Sequence, residues 1–217
     1  MLQENESHPK DLLTGLLTQV SGSFESLTLQ EYVAANNTNC TAPTDVQSYG
    51  GCADIVQQGK VYHVSFDIDL FNPTSNADRA FLIWLYSRQE GETIYLSLVN
   101  LFPPYDFSVW VNGLTPLFQA LIFCKANVVG LVEGPTISSD AYVLMACNQL
   151  QFGPYALVTV QPVWTTDSGG LSSEQQTRRA LVYKLYERGI GLGLITEEMV
   201  AMLTDGRQVT VTVAHPE

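Results

Sequence analysis

Apolar and polar residues change period several times along the chain, and each period points to one element. Val61 to Ile68 alternates, with Tyr62, Val64, Phe66 and Ile68 on one face, which predicts a strand. Asn72-Pro73-Thr74-Ser75 is a turn that offers a helix cap, and Ala77 to Ser87 is a strongly apolar helix broken by Gln89-Glu90-Gly91-Glu92. Thr93 to Val99 is a near-continuous apolar run, the pattern of a strand buried on both faces. After Pro103-Pro104, Pro116 to Phe123 predicts a helix with proline in its first turn. Val128 to Val132 is a buried strand, Ser138 to Cys147 a short apolar helix, and Ala156 to Val160 a strand. Ser172 to Arg188 has the spacing of an amphipathic helix. Ser172 and Gln175 fit a capping box, and Leu181, Val182, Leu185 and Tyr186 form the apolar stripe. Thr196 to Leu203 predicts a last helix and Gln208 to Val213 a last strand.

Strand and helix alternate from residue 61 onward. The expected class is therefore α/β, a mostly parallel sheet with crossover helices forming a single domain over 61–217. Residues 1–60 read as an N-terminal arm. Asp11 to Leu17 has the spacing of a short helix, and Val33 to Lys60 is rich in Asn, Thr, Gly and Gln, as in a loop or an arm ordered against a neighbouring subunit.

Composition sharpens the picture. Of the 217 residues 46% are hydrophobic and only 15% charged, against about 25% charged in ordinary soluble domains. So few charges point to surface hidden in an oligomer. The net charge of −12 repels phosphate backbones and anionic membrane surfaces, so neither a nucleic acid nor a membrane is expected as partner. No apolar run reaches the ~18 residues of a membrane span, and Met1 to Lys10 is polar and acidic, unlike a signal peptide. A cytoplasmic protein is expected. On that view Asn36-Asn37-Thr38 and Asn39-Cys40-Thr41 match the glycosylation acceptor by chance. The four cysteines lack the paired spacing of a zinc site, and neither metal nor cofactor is implied. Cys124 and Cys147 sit in apolar segments and read as core; Cys40 and Cys52 flank a polar loop and are expected to be free thiols in a reducing compartment, able to bridge if oxidised.

Gly134-Pro135-Thr136-Ile137-Ser138-Ser139-Asp140-Ala141 lies between a buried strand and a short helix. A serine there stands where free helix N–H groups favour developing negative charge. On these residues the stretch from about 61 to 205 resembles ClpP, the proteolytic subunit of the Clp protease, whose fold is shared with the crotonase superfamily. Ala80 to Leu85 followed by Gln89 to Leu96 is similar to the family's helix, acidic turn and "IYLYIN" strand, with Val99-Asn100 at its "IN". Val128 to Gly134 is similar to the strand before the nucleophile. Ser138 falls at the nucleophilic serine of the G-x-x-x-S motif, and Val158-Thr159-Val160-Gln161-Pro162 is similar to "MIHQP".

The departures bear on activity. At the position of the family's catalytic histidine stands Val160, which cannot take a proton from Ser138, and an unactivated serine hydroxyl is a poor nucleophile. No aspartate stands at the third triad place; Asp167 and Glu174 are the nearest acids, with Ser172 or Ser173 at about the aligned place. The family's glycine-rich oxyanion loop is replaced by Leu101-Phe102-Pro103-Pro104, and proline has no N–H to donate.

The bland reading of Ser138 is a helix-capping or buried serine, and Ser139 and Asp140 could cap the same helix. His8, His63 and His215 read as structural or solvated, His63 because it points away from its strand's apolar face. Arg178, Arg179, Lys184 and Arg188 read as a solvated helix face, or as pairing with acidic surface on a second subunit. In ClpP this long helix helps join rings; here it is expected to stop short at Gly189-Ile190-Gly191. Trp84, Trp110 and Trp164 read as core or interface aromatics.

The resemblance with these departures implies a catalytically degenerate ClpP-like subunit, a pseudoenzyme acting in assembly or binding. Its expected partners are further copies or a paralogous subunit, with an AAA+ unfoldase or viral structural proteins beyond them. The Asn/Thr-rich arm would suit a bacteriophage structural or assembly protein in the host cytoplasm or the virion. The alternative is a serine endopeptidase with a rearranged site using Ser138. A third option is a crotonase-like enzyme acting on an acyl thioester.

Overall fold

The computed structural model describes Tyr49 and residues 52–98, 107–137, 139–163 and 173–212. Among these residues lie five α-helices and eight strands. Strands β1 (Ala53–Gln58), β2 (Val61–Phe66), β3 (Thr93–Leu98), β4 (Asn127–Val132) and β6 (Gln149–Phe152) form one sheet in the order β1-β2-β3-β4-β6. A smaller sheet joins β5 (Pro135–Ile137), β7 (Leu157–Val160) and β8 (Val209–Thr212). Only the β1–β2 and β7–β8 pairs are antiparallel; the other four are parallel.

Parallel neighbours need a crossover. Helix α1 (Asn76–Tyr86) links β2 to β3, α2 (Phe107–Ile122) links β3 to β4, and α3 (Ser139–Ala146) lies between β5 and β6. The class is thus the expected one, mixed α/β with a mostly parallel sheet and crossover helices. Two helices follow β7: α4 (Ser173–Gly191) and α5 (Glu197–Thr204).

Local chemistry explains the boundaries. Ser75 caps α1 by accepting from the Asp78 N–H, and Asp78, itself buried, accepts from the Ser75 hydroxyl at 2.7 Å and the Asn72 N–H at 2.7 Å. Thr196 caps α5 in the same way. Helix α3 is buried on every side. It lies so close to β4 that a Cβ on Gly130 would stand 2.9 Å from Leu144 and Leu150 and 3.1 Å from Cys147 Sγ; the glycine is there for that approach.

Several expectations are corrected. Within 33–60, read as loop or arm, Ala53–Gln58 is a strand with Ala53 and Ile55 in the core, because only alternate residues of this edge strand face the core. Cys52 and Tyr49 are buried beside it, so the folded unit begins before residue 61. Strand β3 is not buried on both faces: only Ile94 and Leu96 are, and Tyr95 and Ser97 are half-exposed. Pro116 lies inside α2, which begins at Phe107; the apolar row Leu114, Leu117, Phe118, Leu121 carries the helix through it. Helix α4, by contrast, ends at Gly191, within the Gly189-Ile190-Gly191 stretch where it was expected to stop. The apolar stretch of α1 is spent inside the protomer: Phe81, Leu82, Ile83, Trp84 and Leu85 are all buried in one core.

Cys124 and Cys147 are core residues as expected, their thiols pushed up by burial to about 11 and about 12. Cys52 is a buried free thiol, raised by burial and the neighbouring Asp78. Cys40, the residue 11–17 segment and Trp164 lie outside the described residues. Among the described residues no helix is long and apolar enough to cross a membrane.

Candidate functional site

The carboxyl ends of parallel strands are where open α/β sheets place ligands, because the crossover loops converge there. At this end the chain gathers acids from separate elements. Asp67 follows β2 and caps a short 3-10 turn, Ile68–Leu70, by accepting from the Asp69 N–H at 3.0 Å. Near the end of β3, the Ser97 hydroxyl donates to Glu133, which follows β4, at 3.3 Å. Ser139 and Asp140 open α3, and both are buried.

Asp140 is the electrostatically unusual member. It is 1% exposed. Burial, with the charges of Asp69 and Asp67 added, raises its carboxyl to about 7. Burial and Asp67 raise Asp69 as well. Desolvation disfavours the charged form, and like charges compound it. A carboxyl poised near neutrality can both give and take a proton. From the sequence Asp140 was only a possible cap; the signal that marks it is a lone acid in the otherwise apolar Ala141-Tyr142-Val143-Leu144-Met145-Ala146 helix.

Ser138 itself lies outside the described residues, as do His8, His215, Pro103, Pro104, Asp167 and Ser172. Its neighbours are placed: Ile137 ends β5 in register with Thr159, and Ser139 begins α3. Val160, where the resemblance implies a histidine, is completely buried and paired with Val209. His63 stands exposed in mid-β2 with its ring stacked on Tyr95 at 5.3 Å. It belongs to the five-stranded sheet, whereas Val160 belongs to the small one. Glu174 falls in the first turn of α4.

The side chain of Arg178 lies outside the described residues, and the described basic side chains of α4, Arg179, Lys184 and Arg188, do not form one solvated face. Arg188 is half-buried and donates to the carbonyls of Met145, Ala146 and Cys147 at 3.2, 3.0 and 2.7 Å, which closes the C-terminal end of α3. These carbonyls lack helical partners, and a cation suits the dipole there. Tyr186 and Tyr142 share a 2.9 Å hydrogen bond, and the Tyr142 hydroxyl donates to the Gln161 carbonyl at 2.7 Å. Helix α4 thereby anchors α3 and, through it, the end of β7. Arg179 lies over the Tyr183 ring at 5.8 Å, while Lys184 makes an exposed pair with Glu187 at 2.8 Å.

Sequence reasoning also missed a second half-buried cation. Arg88 lies 4.8 Å from the Tyr62 ring and 4.7 Å from that of Trp84, and donates to the Tyr62 hydroxyl at 2.6 Å and to Glu92 at 3.4 Å. It ties α1 to the turn before β3 and confirms Trp84 as core. A shallow cleft of about 390 Å³ lies at that opposite end of the sheet, lined by Glu90, Thr93, Lys125, Asn127 and Asn148 among others. Cys124 borders it, protonated at neutral pH. Among the described residues no group of three or more His, Cys, Asp or Glu is placed to hold a metal ion.

No protein family and no curated protein matches the chain. Solved structures with some similarity include a probable enoyl-CoA hydratase/isomerase from Mycobacterium abscessus, at 13% identity and TM-score 0.46, over 73% of this chain and 63% of that one. A putative enoyl-CoA hydratase from Rhodopseudomonas palustris CGA009 is similar at 12% identity and TM-score 0.45, over 77% and 66%. An enoyl-CoA hydratase from Mycobacterium avium subsp. paratuberculosis K-10 is similar at 14% identity and TM-score 0.40, over 72% and 76%. The chain spans half the length, 50%, of a putative enoyl-CoA hydratase from Streptomyces avermitilis, at TM-score 0.42 and 14% identity. These likenesses give no residue of this chain a role.

Proposed function

We propose that this chain is a ClpP/crotonase-like subunit without peptidase activity, which works by assembling with further copies or a paralogous subunit. The observation that carries the reading is Val160, wholly buried and held in β7 where the resemblance calls for a catalytic histidine. A completely buried apolar position neither offers nor accepts a proton, and among the described residues the one histidine, His63, lies in the other sheet. The low charged fraction, 15%, supports assembly. The reading extends to a structural or assembly subunit of a virus particle.

The test joins two measurements on the purified chain. A fluorophosphonate probe is expected to leave Ser138 unlabelled, and sedimentation is expected to show a multimer at micromolar concentration. Labelling abolished by Ser138→Ala would establish the rearranged endopeptidase instead, and a stable monomer would remove assembly.

Asp140 favours a second reading, acid–base chemistry in a crotonase-like site. Burial, with the charges of Asp69 and Asp67 added, raises its carboxyl to about 7, the range that suits a general acid or base. Turnover of an acyl thioester lost in Asp140→Asn would support that reading over the first.

A further inference from the structure

We draw no further inference here: the strongest candidate, the cross-strand row Val56, His63, Tyr95, Val129 and Gln149 on the face of the five-stranded sheet opposite the core residues Tyr62, Val64, Ile94 and Val128, carries nothing because nothing in the structure shows what covers it.

Discussion

Replacing Asp140 by asparagine removes a charge from the core at constant size, and its effect is opposite in sign to that of most core substitutions. Asp140 titrates at about 7 in the folded chain and near 3.9 when unfolded. A carboxyl with a raised folded value binds more protons in the native state than in the unfolded state. Stability is therefore greatest below the unfolded value and falls as pH rises toward the folded one. A difference of about 3 pH units at about 1.4 kcal/mol each makes a full cost of roughly 4 kcal/mol, of which roughly 3 kcal/mol develops between pH 5 and pH 8. The expected outcome is that Asp140→Asn is more stable than the parent by several kcal/mol at pH 8, and that the advantage shrinks by about 3 kcal/mol at pH 5. Urea unfolding at both values, with the slope against denaturant held as a control, measures it. Subtracting the two chains cancels Asp69, which is raised in the same sense, and Glu92, which is lowered and acts only at acid pH. A parent no less stable than the variant at pH 8, or an equal difference at both pH values, would refute a desolvated Asp140.

Four further outcomes are expected. Gly130→Ala forces a methyl to within 2.9 Å of Leu144 and Leu150, so it should lose about 1–3 kcal/mol in chemical denaturation. Arg188→Met leaves three carbonyls at the end of α3 without their donor; a loss of about 2–4 kcal/mol is expected, and Arg188→Lys should restore little of it, since one ammonium cannot reproduce the planar fork. A chain beginning at Gly59 lacks β1, Cys52 and Tyr49 from the core, and should lose the cooperative calorimetric transition that a chain beginning at Gln47 keeps. Val160→His should yield no Ser138-dependent peptide hydrolysis and a lowered Tm, because the imidazole enters a fully buried position and burying an unpaired polar group costs about 1–3 kcal/mol; turnover above a Val160→His/Ser138→Ala control would contradict this.

The sequence by itself determined what local periodicity and capping encode. Alternation at Val61–Phe66 made a strand, Ser75 and Thr196 fixed two helix starts, and the alternation of strand with helix dictated parallel pairing through crossovers. These signals are short-range, so they are legible without knowing what the chain packs against. The strands missed were β1, β5 and β6, of six, three and four residues. Edge and connecting strands that bury half their side chains or fewer carry little periodic signal, and only pairing to a neighbour makes them strands. Arg188 read as surface charge or as a partner for a second subunit, and Arg88 drew no reading, because charge alone does not say where a side chain ends. Packing put Arg88 against the Tyr62 and Trp84 rings and Arg188 on three carbonyls. The site divides in the same way. That Val160 is no base was plain from its identity. That Asp140 is poised near neutral pH was decided only when α3 was buried on all sides and the turn after β2 brought Asp67 and Asp69 near it. Desolvation and like-charge repulsion depend on three-dimensional neighbours, which no local pattern records.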